Sequence, residues 1–414
     1  MIAFLSALAL ASFQPVALPA TVPQDGSGEK NRPRRSWTIS ADKIYTADGN
    51  VVENGFVRVE DGKIRAIGKG AGDAELHVAA ITPGLVEAAS QISLGPGSVE
   101  QDREVTPEFG AEEGIDLFST DWTRQLKDGV TTTVAIPDDY NVVGGQPVVI
   151  KTGGGEPTFE DRVVGTGTLL RGCFGQSPSY NNSPFSGRPF GIFNRRPTTR
   201  MGVEWEIRDA FYKAVRSRRD ASFTYPGADV LLRVLDGDLP IMIHASASLD
   251  IRTAMLFKEE FAIPHLVIEG AAEAMHEPEM LVRCGASVVL PPFSFSGNTG
   301  TDGAYMPWNT AEKLRELGVT FALSGTGSSD PDQALALQPA HAMRGGLPFD
   351  AALEAVTIVP ARMLGVDDRV GSIATGKDAD LLLWSGKPFE YTSRIVGVLV
   401  SGELAVDPRI GQEL

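Results

Sequence analysis

The sequences LPIMIHA at residues 239–245 and HLVIEGA at residues 265–271 decide the fold. Both are apolar runs without polar alternation, which predicts parallel strands covered on both faces. Similar runs occur at residues 130–137, 147–153, 162–170, 286–292 and 319–325. Apolar residues at helical spacing occur between or after these runs, at residues 203–214, 255–261 and 353–363. About eight strand–helix units predict an α/β fold with a (β/α)8 TIM-like barrel. A doubly wound open sheet is the alternative, although no G-x-G-x-x-G motif supports it.

The two ends of the chain have a different sequence pattern. Residues 37–68 and 371–406 consist of short runs of strand-forming residues. In the first region, Asp48-Gly49 and Asp61-Gly62 stand where hairpin turns are expected. The two ends together therefore predict a small composite β-sandwich. Its N-terminal part is assigned to residues 37–82, the barrel to residues 83–364, and the C-terminal part to residues 365–414.

The first 36 residues predict a leader. Residues 2–13 form an apolar run of signal-peptide length, too short to cross a bilayer. We therefore predict a signal peptide at residues 1–20, a linker at 21–36, and export to a bacterial periplasm. No Lys or Arg precedes the run, so an apolar N-terminus from a misplaced start is the alternative. No other window holds enough uninterrupted apolar residues for a membrane span.

Charge and cysteine content exclude several classes of function. The net charge is −16, and no stripe of Lys and Arg offsets it, which argues against a nucleic-acid partner. The two cysteines, Cys173 and Cys284, cannot build a disulfide scaffold or a Cys-rich zinc site. Whether they pair with each other is left open by the sequence.

Three segments carry a family resemblance. They are ITPGLVEA at residues 81–88, FDAALEAVTIVPARMLGV at 349–366, and VGSIATGKDADLLLWSGKPF at 370–389. Together they resemble the amidohydrolase superfamily, a metal-dependent hydrolase fold, and specifically its imidazolonepropionase-like branch. The resemblance implies a hydrolase of C–N bonds in amides and cyclic amides. It also implies zinc or another divalent metal, which generates hydroxide from bound water and polarises the scissile carbonyl.

The family's metal ligands are an HxH pair, a carbamylated Lys, two further His and an Asp. The matching positions here hold Ala89 and Gln91 for the pair, Arg171 for the Lys, His244 and Gly270 for the two His, and Thr326 for the Asp. His244 is thus the one retained ligand and the candidate metal residue. A catalytic zinc typically needs three protein ligands, so the metal motifs are degenerate. The other histidines, His77, His265, His276 and His341, are predicted to lie away from the barrel mouth.

The remaining candidates each have two interpretations. His244 is either a relic hydrogen-bonded to a neighbour, or a substrate contact or weak metal anchor with Glu269 or Asp330. Arg171 inside a barrel needs a carboxylate partner, and it either replaces the lost metal charge or binds an anionic ligand. Gln146, in the sequence GGQP, either lines the pocket or belongs to a turn. The acidic residues within 109–116 and the pair Asp138-Asp139 are predicted to be solvated loop charges.

These observations predict a catalytically impaired amidohydrolase-family protein. It would act as a partner subunit of an active amidohydrolase paralogue or in a homo-oligomer, or as a pseudoenzyme that binds a small molecule. No cofactor is expected, although the family norm is a divalent metal. The alternative is an active hydrolase of C–N bonds with a non-standard mononuclear or metal-free site around His244 and Arg171.

Overall fold

The computed structural model describes residues 35–94, 98–100, 102–154, 158–182, 196–294, 298–299, 302–327 and 330–409. The predicted signal peptide and all but the last two residues of the predicted linker lie outside the described residues. The strands are β1 Trp37–Tyr45, β2 Val51–Glu60, β3 Lys63–Lys69, β4 Leu76–Pro83, β5 Leu85–Ser90, β6 Val130–Ala135, β7 Val143–Gly145, β8 Val148–Lys151, β9 Val163–Thr166, β10 Leu170–Cys173, β11 Ile241–His244, β12 Leu266–Glu269, β13 Ser287–Leu290, β14 Asn298–Thr299, β15 Ala304–Tyr305, β16 Phe321–Leu323, β17 Leu381–Trp384, β18 Ile395–Val400 and β19 Glu403–Val406.

The helices are α1 Asp121–Lys127, α2 Phe159–Arg162, α3 Ser177–Asn182, α4 Arg200–Arg219, α5 Ala228–Asp236, α6 Ser248–Phe261, α7 Pro278–Cys284, α8 Thr310–Glu316, α9 Gln338–Arg344, α10 Phe349–Glu354 and α11 Ile358–Met363. Among the described residues, none of these helices combines the length and apolar character needed to cross a bilayer.

A seven-stranded sheet combines both ends of the chain. Its order is β19-β18-β17-β4-β1-β2-β3, so β17 from the C-terminal region pairs directly with β4 from the N-terminal region. The predicted hairpin at Asp61-Gly62 is confirmed, because Glu60 pairs with Lys63 and both turn residues have positive φ. Such φ values are what a two-residue hairpin turn requires. The turn after Tyr45 contains Asp48-Gly49 and likewise joins antiparallel strands.

Two further sheets carry the apolar strands of the middle region. The six-stranded sheet has the order β16-β13-β12-β11-β10-β7, parallel from β16 to β10, and the four-stranded sheet has the order β5-β6-β8-β9. Side chains from strands of both sheets pack into one interior cluster that includes Val86, Val134, Val149, Met242, Val267, Val289 and Ala322. The other faces of several strands pack against helices. Coverage on both faces explains why these strands lack polar alternation.

Two predicted elements are divided in the structure. The run at 162–170 becomes the end of α2, β9 and the start of β10, because Gly167 at φ +57° turns the chain between the two strands. The predicted helix at 353–363 is the end of α10 followed by α11. Pro360 has no N–H to donate to the Val356 carbonyl, and this carbonyl accepts a hydrogen bond from the Val86 N–H at 2.9 Å instead.

Candidate functional site at the strand ends

Three charged side chains lie on three neighbouring parallel strands. Arg171 is on β10, His244 ends β11 and Glu269 ends β12. His244 pairs in register with Glu269 on one side and with Cys173 on the other. Parallel strands end at the same edge of a sheet, which is where open α/β folds and barrels place their ligand sites. The strand order therefore brings together residues that are up to 98 positions apart in sequence.

One carboxylate oxygen links the two basic groups. Arg171 Nη2 donates to Glu269 Oε2 at 3.0 Å, and His244 Nδ1 lies 2.7 Å from the same oxygen. Arg171 is 2% exposed and Glu269 is 5% exposed. The carboxylate partner that a buried Arg171 requires is thus Glu269. In contrast, Arg171 Nε and Nη1 are buried and have no hydrogen-bond partner among the described residues.

The charges of this group shift its protonation equilibria. Burial alone would raise the pKa of Glu269, but Arg171 and His244 lower it to about 2. Burial alone would lower the pKa of His244, but Glu269 and Asp139 raise it above its ordinary value. His244 Nε2 lies 3.6 Å from Asp139 Oδ2. The two carboxylates therefore favour the imidazolium form of His244, in which Nδ1 donates a hydrogen bond to Glu269.

The prediction that Asp138 and Asp139 are solvated loop charges is wrong. They follow β6, and the chain there folds over the strand ends, so that the Asp139 side chain is only 20% exposed. Asp139 Oδ2 accepts a hydrogen bond from Ser177 Oγ at 3.1 Å. Burial, together with the charge and hydrogen bonding of Asp139, raises the pKa of Asp138 to about 6. We call Arg171, His244, Glu269 and Asp139 the strand-end cluster.

Glu87 is a buried carboxyl group that the sequence analysis missed. It lies on β5, is 1% exposed, and accepts hydrogen bonds from Ser324 Oγ at 2.6 Å and from the Gly325 N–H at 2.8 Å. Burial raises the pKa of Glu87 to about 7, since these hydrogen bonds only partly offset the loss of hydration. The available signal was an acidic residue inside the apolar run LVEAA, with no basic residue beside it. Such a residue is rarely buried without a role.

Four residues that the sequence analysis matched to metal-ligand positions have the following surroundings. Ala89 is buried and has no donor atom, and exposed Gln91 donates from Nε2 to Asp138 Oδ1 at 3.0 Å. Gly270 has φ +73°, and a Cβ there would lie 2.7 Å from the His244 ring, so the present backbone leaves no room for a side chain. Thr326 is half-buried, and its N–H donates to Ser324 Oγ.

The other candidates have contacts of their own. Gln146 Nε2 donates to the Pro107 carbonyl at 3.1 Å and so holds a loop, while Asp330 is exposed and begins a short 3-10 turn. His77 is exposed on β4, His265 precedes β12, His276 ends a 3-10 turn, and His341 is on α9. Within the described ranges, no group of three or more His, Cys, Asp or Glu side chains is arranged to hold a metal ion.

A second ionic group lies beyond the end of β10. Arg200 Nε donates to Asp250 Oδ1 at 3.1 Å, and Arg200 Nη2 donates to Asp302 Oδ1 at 2.5 Å. Both carboxylates approach Gly175, where an added Cβ would lie 2.9 Å from Asp302 Oδ2. His244 lowers the pKa of Asp250, although burial raises it overall. The edge around His244 is therefore richer in acidic than in basic groups.

Comparison with known proteins identifies the family of this chain. A model described as "Amidohydrolase family" matches residues 220–405. The crystal structure of an amidohydrolase from Thermotoga maritima MSB8 has 30% sequence identity and a TM-score of 0.78, and the match covers 89% of this chain and 99% of that chain. The chain belongs to the amidohydrolase family.

The matches to curated relatives cover a smaller part of those proteins. Amidohydrolase tasK from Hapsidospora irregularis is 26% identical over 400 residues, which cover 86% of this chain but 40% of tasK. An imidazolonepropionase from Legionella pneumophila (strain Corby) is 38% identical over 77 residues, which cover 18% of this chain and 19% of that protein. The chain thus spans well under half the length of these relatives. The likeness to this imidazolonepropionase is confined to a short segment.

Proposed function

We propose that this amidohydrolase-family chain lacks the metal-dependent centre of its family and serves as a catalytically impaired, ligand-binding partner subunit. The observation that carries the proposal is the buried Arg171, bonded to the same Glu269 oxygen that holds His244. A guanidinium stays protonated and donates only, so it cannot coordinate a metal. It does supply the positive charge that a metal would otherwise bring to these carboxylates.

The donor set does not fit the metal that the family implies. Zinc sites use Cys, His and carboxylate ligands, and three from the protein are typical of catalytic sites. Here Ala89 and Gly270 have no donor, and both ring nitrogens of His244 face carboxylates at 2.7 and 3.6 Å. A cation placed at His244 would compete with the Arg171 guanidinium for the same Glu269 oxygen. We therefore derive no catalytic step through a metal.

We further propose that the six-stranded and four-stranded sheets form the wall of one (β/α)8 barrel. Support comes from the interior cluster, to which strands of both sheets contribute. Further support comes from the ends of β5 and β16, edge strands of different sheets, where Ser324 Oγ also contacts the Ala89 carbonyl at 3.2 Å. The strand-end cluster would then lie inside the barrel mouth, at the usual place for an active site.

The partner in this proposal is an active amidohydrolase. A homo-oligomer is the other assembly to be distinguished. Export through residues 1–20 remains part of the proposal and rests on their sequence alone.

A second candidate, a metal-free hydrolase of C–N bonds, has one observation in its favour. Glu87 with a pKa of about 7 and Asp138 with a pKa of about 6 are near neutrality, where general acids and bases work best. However, Glu87 is fully engaged with Ser324, Gly325 and Ala89, and it is 1% exposed. A substrate could reach it only after these hydrogen bonds open.

Hydrolysis assays separate the two candidates. N-acyl amino acids, dipeptides and cyclic amides would be incubated with the purified chain, with and without added Zn²⁺ or Mn²⁺, beside the Thermotoga maritima protein. We expect no turnover by the chain under either condition. Metal-independent turnover that Glu87→Gln abolishes, while Gln146→Ala retains it, would establish the second candidate. Turnover that needs metal and His244 would contradict both.

A further inference from the structure

A cavity of about 320 Å³ opens at the opposite ends of the strands. It lies where β11, β12, β13 and β16 begin, whereas the strand-end cluster lies where they finish. His265 precedes β12 and Glu269 ends it, so about 13 Å of strand separates the two places. The cavity volume is at the lower end of the range typical of small-molecule sites. It is therefore a separate candidate site, independent of the proposed function.

The cavity combines an apolar floor with a basic rim. Val267 and Met363, which belong to the interior cluster, are buried at its floor. Arg362 and His265 are exposed at its rim. Ser287 and Thr320 add two hydroxyl groups. Among the described residues, no Asp or Glu lines the cavity, although the chain has 53 acidic residues and only 37 Lys and Arg.

Arg362 is available for a ligand. In the part of the chain that the structure describes, no ion pair involves its guanidinium. Lys258 adds positive charge near the rim, because its Nζ donates to the carbonyl of Pro264, which lines the cavity, at 2.9 Å. Burial raises the pKa of Glu354, and the charge of Arg362 partly offsets this effect. Glu354 does not line the cavity. The described lining residues therefore carry positive but no negative charge, which favours an anion as the ligand.

We propose that this cavity binds a small organic monocarboxylate with an apolar body. The guanidinium of Arg362 pairs with the carboxylate, and the hydroxyls of Ser287 and Thr320 are placed to donate to it. The apolar body lies on Val267 and Met363. A polyphosphate is a poorer match, because the rim offers few cations.

Benzoate is a suitable probe, and isothermal titration calorimetry on the full chain is the measurement. We expect saturable binding with a Kd on the order of 1 mM, as the small size of the probe implies. Benzamide has nearly the same shape without the charge and is expected to bind at least about tenfold more weakly. Absence of saturable binding at benzoate concentrations about tenfold above that Kd would overturn the proposal.

Three variants locate the site. Arg362→Gln removes the charge of an exposed side chain and is expected to weaken benzoate binding about tenfold. Arg219→Gln removes another exposed arginine outside the cavity and is expected to leave binding unchanged. Thr320→Trp fills the opening and is expected to abolish binding, with circular dichroism verifying the fold. Equal benzoate affinity in wild type and Arg362→Gln would contradict the proposal, as would an equal loss in Arg219→Gln.

Discussion

Two groups of buried charges in this chain differ in how they are built. The first, which we call the junction cluster, joins Lys151 on β8 to Asp378 and Asp380, just before β17. Lys63 and Arg369 also bind Asp378, at 2.5 and 3.1 Å. The second is the strand-end cluster, in which Arg171 and His244 share one oxygen of Glu269. The junction cluster links two sheets, whereas three of the four strand-end residues lie along the edge of one sheet.

The difference lies in how fully the buried polar atoms are bonded. In the junction cluster, Asp380 Oδ1 accepts a hydrogen bond from the Ser401 N–H at 2.8 Å, and Oδ2 accepts one from Lys151 Nζ. In the strand-end cluster, Arg171 Nε and Nη1 have no partner among the described residues. Unpaired buried donors cost free energy. A fully bonded cluster is typical of structural roles, whereas an incompletely bonded one at strand ends is typical of functional sites.

Lys151→Met tests the junction cluster and should have the largest effect. The substitution leaves Asp378 and Asp380, each 5% exposed, without their buried cation. We expect the free energy of unfolding to fall by about 4 to 5 kcal/mol, as for other buried pairs that lose one partner. Urea denaturation measures it, with Lys127→Met as the control at an exposed lysine. A loss below about 1 kcal/mol would show that the cluster is not structural.

Glu269→Gln tests the strand-end cluster and should cause the second-largest loss in the free energy of unfolding. Arg171 would remain buried without a charged partner, and the pKa of His244 would fall because Glu269 is the main group that raises it. We expect a loss of about 3 to 4 kcal/mol by urea denaturation. Arg171→Met removes the cation and leaves Glu269 bonded to His244, so it should cost less. A larger loss in Arg171→Met than in Glu269→Gln would contradict this ranking.

The pH dependence of stability should give the third-largest change in the free energy of unfolding. The folded-state pKa of Glu87 is about 7, against an ordinary value of 4.5. The folded chain therefore keeps this proton as pH rises from 4.5 to 7, while the unfolded chain releases it, and the free energy of unfolding falls by on the order of 2 to 3 kcal/mol. Asp138 acts in the same direction between pH 3.8 and about 6.

Glu87→Gln isolates this effect. The variant keeps the shape of the side chain but cannot titrate, so its stability should fall much less between pH 4.5 and 7. Below pH 4.5 both proteins should lose stability, because the folded chain holds Glu269 ionised down to about pH 2. Parallel profiles for wild type and variant from pH 4.5 to 7 would show that Glu87 is not the titrating group.

Gln91→Ala should have the smallest effect. Gln91 occupies a metal-matching position, but it is exposed, and among the described residues its side chain makes a single hydrogen bond, to Asp138. We expect a change below about 0.5 kcal/mol in urea denaturation, as at most surface sites. A loss above about 2 kcal/mol would show that the loop carrying Asp138 depends on this contact.

The junction cluster illustrates what the sequence could predict. Lys377, Asp378, Ala379 and Asp380 are contiguous, and this segment carried the family resemblance and the expectation that both ends of the chain build one sheet region. The strand-end cluster could be predicted only in part. His244 and Arg171 could be selected from the sequence, because both stand at positions that match the family's metal ligands. Glu269 was named beside His244 only as one of two alternatives, and Asp139 was predicted to be solvated. Both become neighbours of His244 only once strand order and register are fixed.

Bound metal per chain tests the central claim most directly, namely that the Arg171–Glu269–His244 group stands in place of a metal centre. The protein would be purified without chelators and analysed by elemental mass spectrometry, beside His244→Ala. We predict less than about 0.1 zinc, iron or manganese per chain in both proteins, since a catalytic site needs about three protein ligands. Close to one metal per chain in the wild type, lost in His244→Ala, would contradict the account.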